Sequence, residues 1–267
     1  MKYLSPLLMF VLLFATSAQA DVSPQHRLLT KSTYVLEEVL STPDVDIPQR
    51  LIRNAKAVIV FPNMIKAGFI GAMRYGKGVA TVRDPKTGKW GPPSFVTTIG
   101  GSVGFQIGAE AIDLVLLVMS DKGVKGVLNN EFTLGGDMDV TAGPVGRHAE
   151  AGVDIFLQGD VYSYSRSQGL FAGVSLKGTV IKSNREFNHQ YYRQNLSAEE
   201  IMISSELKRV PESSKRFMRD FNRMAPSALE TQVNKMALLE KENAAPAVPP
   251  VKRQPAPRKK KPTGPLW

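Results

Sequence analysis

The residues able to carry reaction chemistry are few and scattered. There are three histidines, His26, His148 and His189, and none has a second histidine or a carboxylate at metal-ligand spacing. His148, beside Arg147 and Glu150, has the surroundings of an acid–base residue and equally those of an ordinary strand-edge histidine. Asp113, Asp137, Asp139 and Asp154 lie in β-rich sequence without the spacing of a calcium loop. No serine sits in a nucleophile elbow. There is no cysteine, hence no thiol chemistry and no disulfide. Gly71-Ala72-Met73-Arg74-Tyr75-Gly76-Lys77-Gly78 approaches a phosphate-binding P-loop. It lacks the Ser or Thr that must follow the lysine, and a strand follows it where a helix N-terminus is needed. Gly100, Gly101 and Gly104 miss the dinucleotide spacing. The expectation is a protein that is not an enzyme, with no metal and no cofactor.

What remains is a set of cations beside glycines: Lys66, Arg74, Lys77, Arg83, Lys86 and Lys89. The pattern predicts strands over 66–75 and 78–83 joined by a tight turn at Tyr75–Gly78. Lys66, Arg74 and Lys77 would then share a rim, with Lys86 and Lys89 at the next turn, 84–89. Such a rim suits phosphate head groups through charge-assisted hydrogen bonds. Solvated turn cations account for the same residues equally well.

The elements that position them read as follows. Residues 24–41 have helical apolar spacing, with Ser23 as N-cap and Pro24 in the first turn. Leu28, Leu29, Val35, Leu36, Val39 and Leu40 fall on one face, which suits packing onto the domain more than a membrane surface. Pro48 opens a short helix through Asn54. Ala57-Val58-Ile59-Val60-Phe61 is a buried-strand run stopped by Pro62. Strands follow over Gly68–Tyr75, Gly78–Val82, Ser94–Ile107, Ile112–Met119, Phe132–Thr141, Ala149–Leu157, Val161–Ser165 and Phe171–Ile181. A helix is expected over Asp121–Asn129. After Asn184 the chain turns helical, over 186–194, 198–209, 213–223 and 227–242.

The two ends carry their own signals. Lys2, the apolar run Leu4–Phe14 and the small residues ending in Ala18-Gln19-Ala20 have the form of a secretory signal peptide cleaved after Ala20. The apolar run is too short to span a bilayer. An exported domain without disulfides must rely on a hydrophobic core. The net charge of +10 is unevenly placed. Lys252, Arg253, Arg258, Lys259, Lys260 and Lys261 lie within residues 244–267, with seven prolines and no acid. This composition predicts an extended tail that buries no core. An exported chain does not meet nucleic acid, so the charge points to anionic lipid or a cell-wall polymer.

Many segments, in order, resemble one family, the SYLF domain, also called Ysc84. They include Ala55 to Pro62, Lys66-Ala67-Gly68-Phe69, Arg74-Tyr75-Gly76-Lys77-Gly78, Gly101 to Gly108 and Asp113-Leu114-Val115-Leu116. Further on come Phe132 to Gly135, Ala142 to Arg147, Tyr164 to Ser175 and Tyr191-Tyr192. The resemblance runs from about Ile47 to Tyr192. It implies a lipid-binding domain. Eukaryotic members bind phosphoinositides and partner actin assembly, whereas bacterial members are exported envelope proteins. On that footing Arg74 and Lys77 flank a family motif as head-group contacts, and Asp113 is structural.

The expected fold is α+β: a strongly bent, Gly-rich, mainly antiparallel sheet, barrel- or sandwich-like, with helices from both ends packed on it. The expected organisation is a signal peptide (1–20), a SYLF-like domain (21–195), a helical extension (196–243) and the tail (244–267). The expected function is a periplasmic or secreted protein that binds anionic phospholipid, with the tail adding electrostatic attachment. One alternative is an envelope scaffold that binds peptidoglycan or a protein partner. Another is a lipid-acting hydrolase, which no residue constellation supports.

Overall fold

The computed structural model describes residues 23–41, 48–68, 71–103, 108–144, 159–167, 170–203, 207–228, 230–233 and 236–237. The signal segment, Arg147 and His148, the strand expected over 149–157 and the six tail cations lie outside the described residues. The chain divides into two compact units, Met1–Ala228 and Leu229–Trp267. In the second, the described residues are helical. Among the described residues no helix is long and apolar enough to cross a membrane.

The first unit is built on one nine-stranded sheet. Its strands are β1 (Ala57–Gly68), β2 (Gly71–Val82), β3 (Ser94–Val103), β4 (Gly108–Val118), β5 (Glu131–Leu134), β6 (Val140–Ala142), β7 (Val161–Ser167), β8 (Leu170–Gly173) and β9 (Thr179–Ser183). The order is β5-β9-β3-β2-β1-β4-β7-β6, with β8 beside β7. All pairs are antiparallel except β6 with β7. The two ends of the order approach each other, because Leu134 at the end of β5 bridges Met138, just before β6. The sheet is thus bent almost into a barrel, and the α+β expectation holds.

A nearly closed sheet has an inner and an outer face, and each carries a core. Ile59, Phe61, Ala80, Val82, Val96, Leu114, Leu116 and Ile181 pack inside. Helices α3 (Asp121–Leu128) and α5 (Ala198–Met202) add Val127, Ile201 and Met202 to that core. Val58, Val60, Val79, Phe95, Val115 and Leu117 face outward. They are covered by α1 (Pro24–Ser41), α2 (Gln49–Asn54) and α6 (Glu212–Met224). Helix α4 (Arg185–Tyr192) lies between the two cores, with Phe187 against the outer one and Tyr192 within the inner one. The apolar face of α1 is buried against the sheet, so packing is its observed role. Its Ser23 hydroxyl accepts from the His26 N–H at 3.3 Å.

Several sequence expectations are corrected. Pro62 does not stop β1, which runs on to Gly68, and the helix expected over 198–209 ends at Met202. No turn divides β2 at Tyr75–Gly78: residues 71–82 form one strand, and Gly76 and Gly78 have no positive φ. Phe132–Thr141 is two short strands separated by a turn in which Gly135 takes φ +80°. Phe171–Ile181 is likewise β8 and β9, separated by Gly178 at φ +78°. Both breaks use glycine where the backbone must be left-handed.

Candidate functional site

The site begins with a bulge. Between Phe61 and Met64, β1 carries one residue more than β4 opposite it, and the same irregularity appears against β2. Asn63 sits there at φ +54°. Its N–H donates to Asp113 Oδ1 at 2.9 Å, which gives Asp113 the structural role expected of it. An extra residue flips every later side chain to the other face. Beyond the bulge Met64 and Lys66 point inward, while Ile65 points out.

The five expected head-group contacts are thereby sorted. Lys66 and Arg74 are direct cross-strand partners on the inner face. Arg74 is buried at 8% exposure, and burial lowers its pKa below the ordinary arginine value. Lys77 lies three residues further along β2, on the outer face, with Nζ 4.0 Å from the centre of the Phe187 ring. Lys86 and Lys89 are exposed in the turn beyond the far end of β2. The strand rise puts them roughly 26 Å or more from Arg74, too far to share one head group. The structure brings Lys66 and Arg74 together and separates the other three.

Arg83, a cation in the same group, is fully used by the fold. Its Nε donates to Ala55 O at 3.0 Å and its Nη1 to Gly88 O at 2.7 Å. Its Nη2 reaches Ile52 O at 3.3 Å and Ala225 O at 3.1 Å. The guanidinium also stacks over Trp90 at 3.9 Å.

Three features escaped sequence reasoning. The first is an uncovered apolar row on the outer face. Ala111, Ile65, Tyr75, Ile99 and Val180 stand side by side on five adjacent strands. Ile65 is 52% exposed, Tyr75 47% and Ile99 45%, and Met73, next along β2 on the same face, is 67% exposed. Lys77 stands two residues from Tyr75 on that face. Among the described residues the helices cover the sheet up to about the Lys77 level, where Phe187 lies. The only sequence signal was alternation, which does not tell a covered half from a bare one. The second is Arg166, which donates to Glu38 Oε1 at 3.1 Å and lies 3.9 Å from Asp113 Oδ2, tying α1 to the bulge. The third is Thr179, fully buried in line with Arg74. Among the described residues no cluster of His, Asp or Glu is placed to hold a metal ion.

The described residues thus form a half-bare curved sheet of the α+β class, with Arg74 buried on its inner face and Lys77 exposed on its outer one. Comparison with known proteins finds a family match. Residues 99–224 match the family described as "Ysc84: Las17-binding protein actin regulator". The human SH3 domain-containing YSC84-like protein 1 is 38% identical over 162 residues, covering 60% of this chain and 47% of that protein. Protein YSC84 of Saccharomyces cerevisiae is 37% identical over 181 residues, 66% of this chain and 37% of its own length. An SH3 domain-containing protein of Schizosaccharomyces pombe is 39% identical over 159 residues, 58% of this chain and 36% of its own. Over this shared stretch the chain matches the Ysc84 (SYLF) domain. It spans about half the length of the animal relatives, or less in the yeasts. The relatives' names are of SH3-domain and YSC84 type, not those of enzymes.

Proposed function

We propose that this protein is a non-enzymatic module that docks on anionic phospholipid surfaces through the bare half of its sheet. The observation that carries the reading is the exposed row Ile65, Tyr75 and Ile99 with Met73 beside it and Lys77 at its margin. A soluble domain seldom leaves such residues contiguous and uncovered unless something docks there. Apolar side chains that enter the head-group layer beside a lysine are the usual composition of an interfacial contact. The signal-peptide pattern supports export to the periplasm or beyond the cell, where anionic phospholipid is met and actin is not. The family description names Las17 binding and actin regulation, neither of which is proposed for this chain, and the lipid reading rests on the sheet face. The cations of the tail, Lys252, Arg253, Arg258, Lys259, Lys260 and Lys261, add a second, salt-sensitive attachment.

The test is co-sedimentation with phosphatidylglycerol vesicles, with neutral phosphatidylcholine vesicles as control. Met73→Asp and Ile99→Asp are expected to weaken binding to the anionic vesicles by roughly tenfold or more, since each puts a charge into the contact. Both positions are exposed, so the melting temperature should hardly move. Unchanged binding by both variants would remove the sheet face from the reading.

A further inference from the structure

Three successive register rows cross the bare end of the sheet, and their polarity alternates with the face. On the outer face stand Ala111, Ile65, Tyr75 and Ile99. Two residues further along the same strands stand Ala109, Ala67, Met73 and Gly101, also outward. Neither row carries a charge, and every member is exposed or half-buried. Between them, on the inner face, lie Glu110, Lys66, Arg74 and Gly100. Glu110 Oε1 accepts from the Ser167 hydroxyl there. The inner apolar core stops at Met64 and Ile112, two residues short of Lys66 and Glu110. The core half of the sheet is therefore apolar within, whereas the bare end is charged within and apolar without. Water favours the opposite arrangement. A charged inside and an apolar outside are the pattern of strands whose outer face meets lipid.

The shape decides how such an end meets a bilayer. The sheet is bent almost into a barrel, so its outer face is convex. A flat lipid surface laid against it would touch only a strand or two at a time. The apolar rows of four adjacent strands reach lipid together only if the strand ends enter first. The sequences that join β1 to β2 and β3 to β4 at that end, Phe69-Ile70 and Gly104 to Ile107, contain no charged residue. On these strands the nearest outward charges are Lys77 on β2 and Asp113 on β4, four residues from Met73 and Ala109. At the rise of a strand that is roughly 13 Å, close to half of a hydrocarbon core about 30 Å thick. It is too short to span that core, for which a strand needs about 9–11 residues. We propose, on the footing of the lipid reading above, that the ends of β1–β4 enter one leaflet of a bilayer end-on. The two outer rows meet the acyl chains, Lys66, Arg74 and Glu110 stay inside the bend, and Lys77 stands at the level of the head groups.

The chain has no cysteine, so a single introduced thiol can carry an environment-sensitive dye at a chosen place. Two pairs of variants serve: Ile99→Cys with Gly101→Cys on β3, and Ala111→Cys with Ala109→Cys on β4. A Cβ at Gly101 meets nothing within 4 Å, so that substitution fits. Glu110→Cys reports the inner face. Each labelled full-length protein is bound to phosphatidylglycerol vesicles that contain lipid with a nitroxide either high or low on its acyl chain. All four outward labels should shift to the blue. In each pair the label nearer the strand end should lie deeper by about 5 Å, the advance of two residues along a strand tilted by about 45°. The Glu110→Cys label, between Ala109 and Ala111, should be quenched less by either nitroxide than the labels on both neighbours. Equal depths within both pairs would overturn end-on entry and leave the sheet lying in the head-group layer, with the lipid reading intact. Sedimentation with vesicles but no blue shift at any label would overturn it as well, since the sheet then stays out of the lipid. No sedimentation at all would sink the lipid reading itself, and end-on entry with it.

Discussion

Arg83 shows how a cation beside glycines can belong wholly to the fold. It satisfies four carbonyls, those of Ile52, Ala55, Gly88 and Ala225, which come from α2, the end of α6 and the turn after β2. Arg83→Met would take a donor from all four, leaving Ile52 O with only the Ala55 N–H and Ala225 O with only Trp90 Nε1, and would remove the contact with Trp90. A loss of about 3 kcal/mol is expected in urea unfolding, and Arg83→Lys should recover little, since a point charge cannot replace the fork. Asp160 makes the complementary argument for a carboxylate. Burial alone would raise its pKa. The Ser120 hydroxyl, the Asp139 N–H at 3.1 Å and Lys122 Nζ at 3.4 Å outweigh that and hold it below the usual carboxylate value. A group with a depressed folded pKa stabilises the fold above its unfolded pKa, about 3.9 for aspartate. That contribution fades as pH falls through the folded value. Asp160→Asn should therefore destabilise by about 1 kcal/mol at pH 7. The gap to wild type should narrow as pH falls through the depressed folded value, below which both carry a neutral side chain. A gap independent of pH would mean that packing, not charge, sets the cost.

At the scale of elements, β2 tests why glycine sits inside a strand. A Cβ at Gly78 would lie 2.4 Å from both Phe61 Cδ1 and the Val60 carbonyl oxygen, a backbone atom that cannot yield. At Gly76 the neighbours are Met64 Cγ, Cβ and Cα at 3.1, 3.2 and 3.3 Å, tight contacts that a shift of a few tenths of an ångström would relieve. Gly78→Ala should cost about 3 kcal/mol or prevent folding, and Gly76→Ala less than about 1 kcal/mol, as measured by urea unfolding. Equal costs would show that the close approach of Phe61 is not what requires glycine. The same pair explains what the sequence did and did not disclose. Gly76-Lys77-Gly78 has the local composition of a turn, and only the ring of Phe61 across the sheet reveals a flat strand that needs room. Helices α1 and α3 and the turn at 84–89 were legible because their signals are local. Ser23 and Ser120 cap their helices, and Asp84 Oδ1 accepts from the Lys86 and Thr87 N–H groups at 2.8 Å. Lys66 and Arg74 were legible as neighbouring cations. Their inward direction was not, because it depends on a single extra residue between Phe61 and Met64. Thr179 is not legible as a buried polar residue, since only the register of β9 against β3 turns it inward.

At the scale of the whole molecule, two attachments of different physics are proposed, and salt separates them. Tail cations act through the surface potential of the bilayer, about 1 kcal/mol each near the surface, and are screened as the Debye length shrinks to about 3 Å in 1 M salt. The apolar row acts through area removed from water, which salt does not screen. Removing residues 244–267 should weaken binding to phosphatidylglycerol vesicles at low salt and flatten its salt dependence. Insertion of the sheet face should survive. Tyr75→Trp reports that step cleanly in the shortened chain. The protein has two tryptophans, of which Trp267 leaves with the tail and Trp90 is buried at 2% exposure. Fluorescence of the introduced indole should shift to the blue on vesicle addition and be quenched by brominated lipid at both low and high salt. If deletion instead abolishes the shift at every salt concentration, the tail holds the membrane and the sheet face does not. Met73 and Ile99 would then have to be explained by a protein partner.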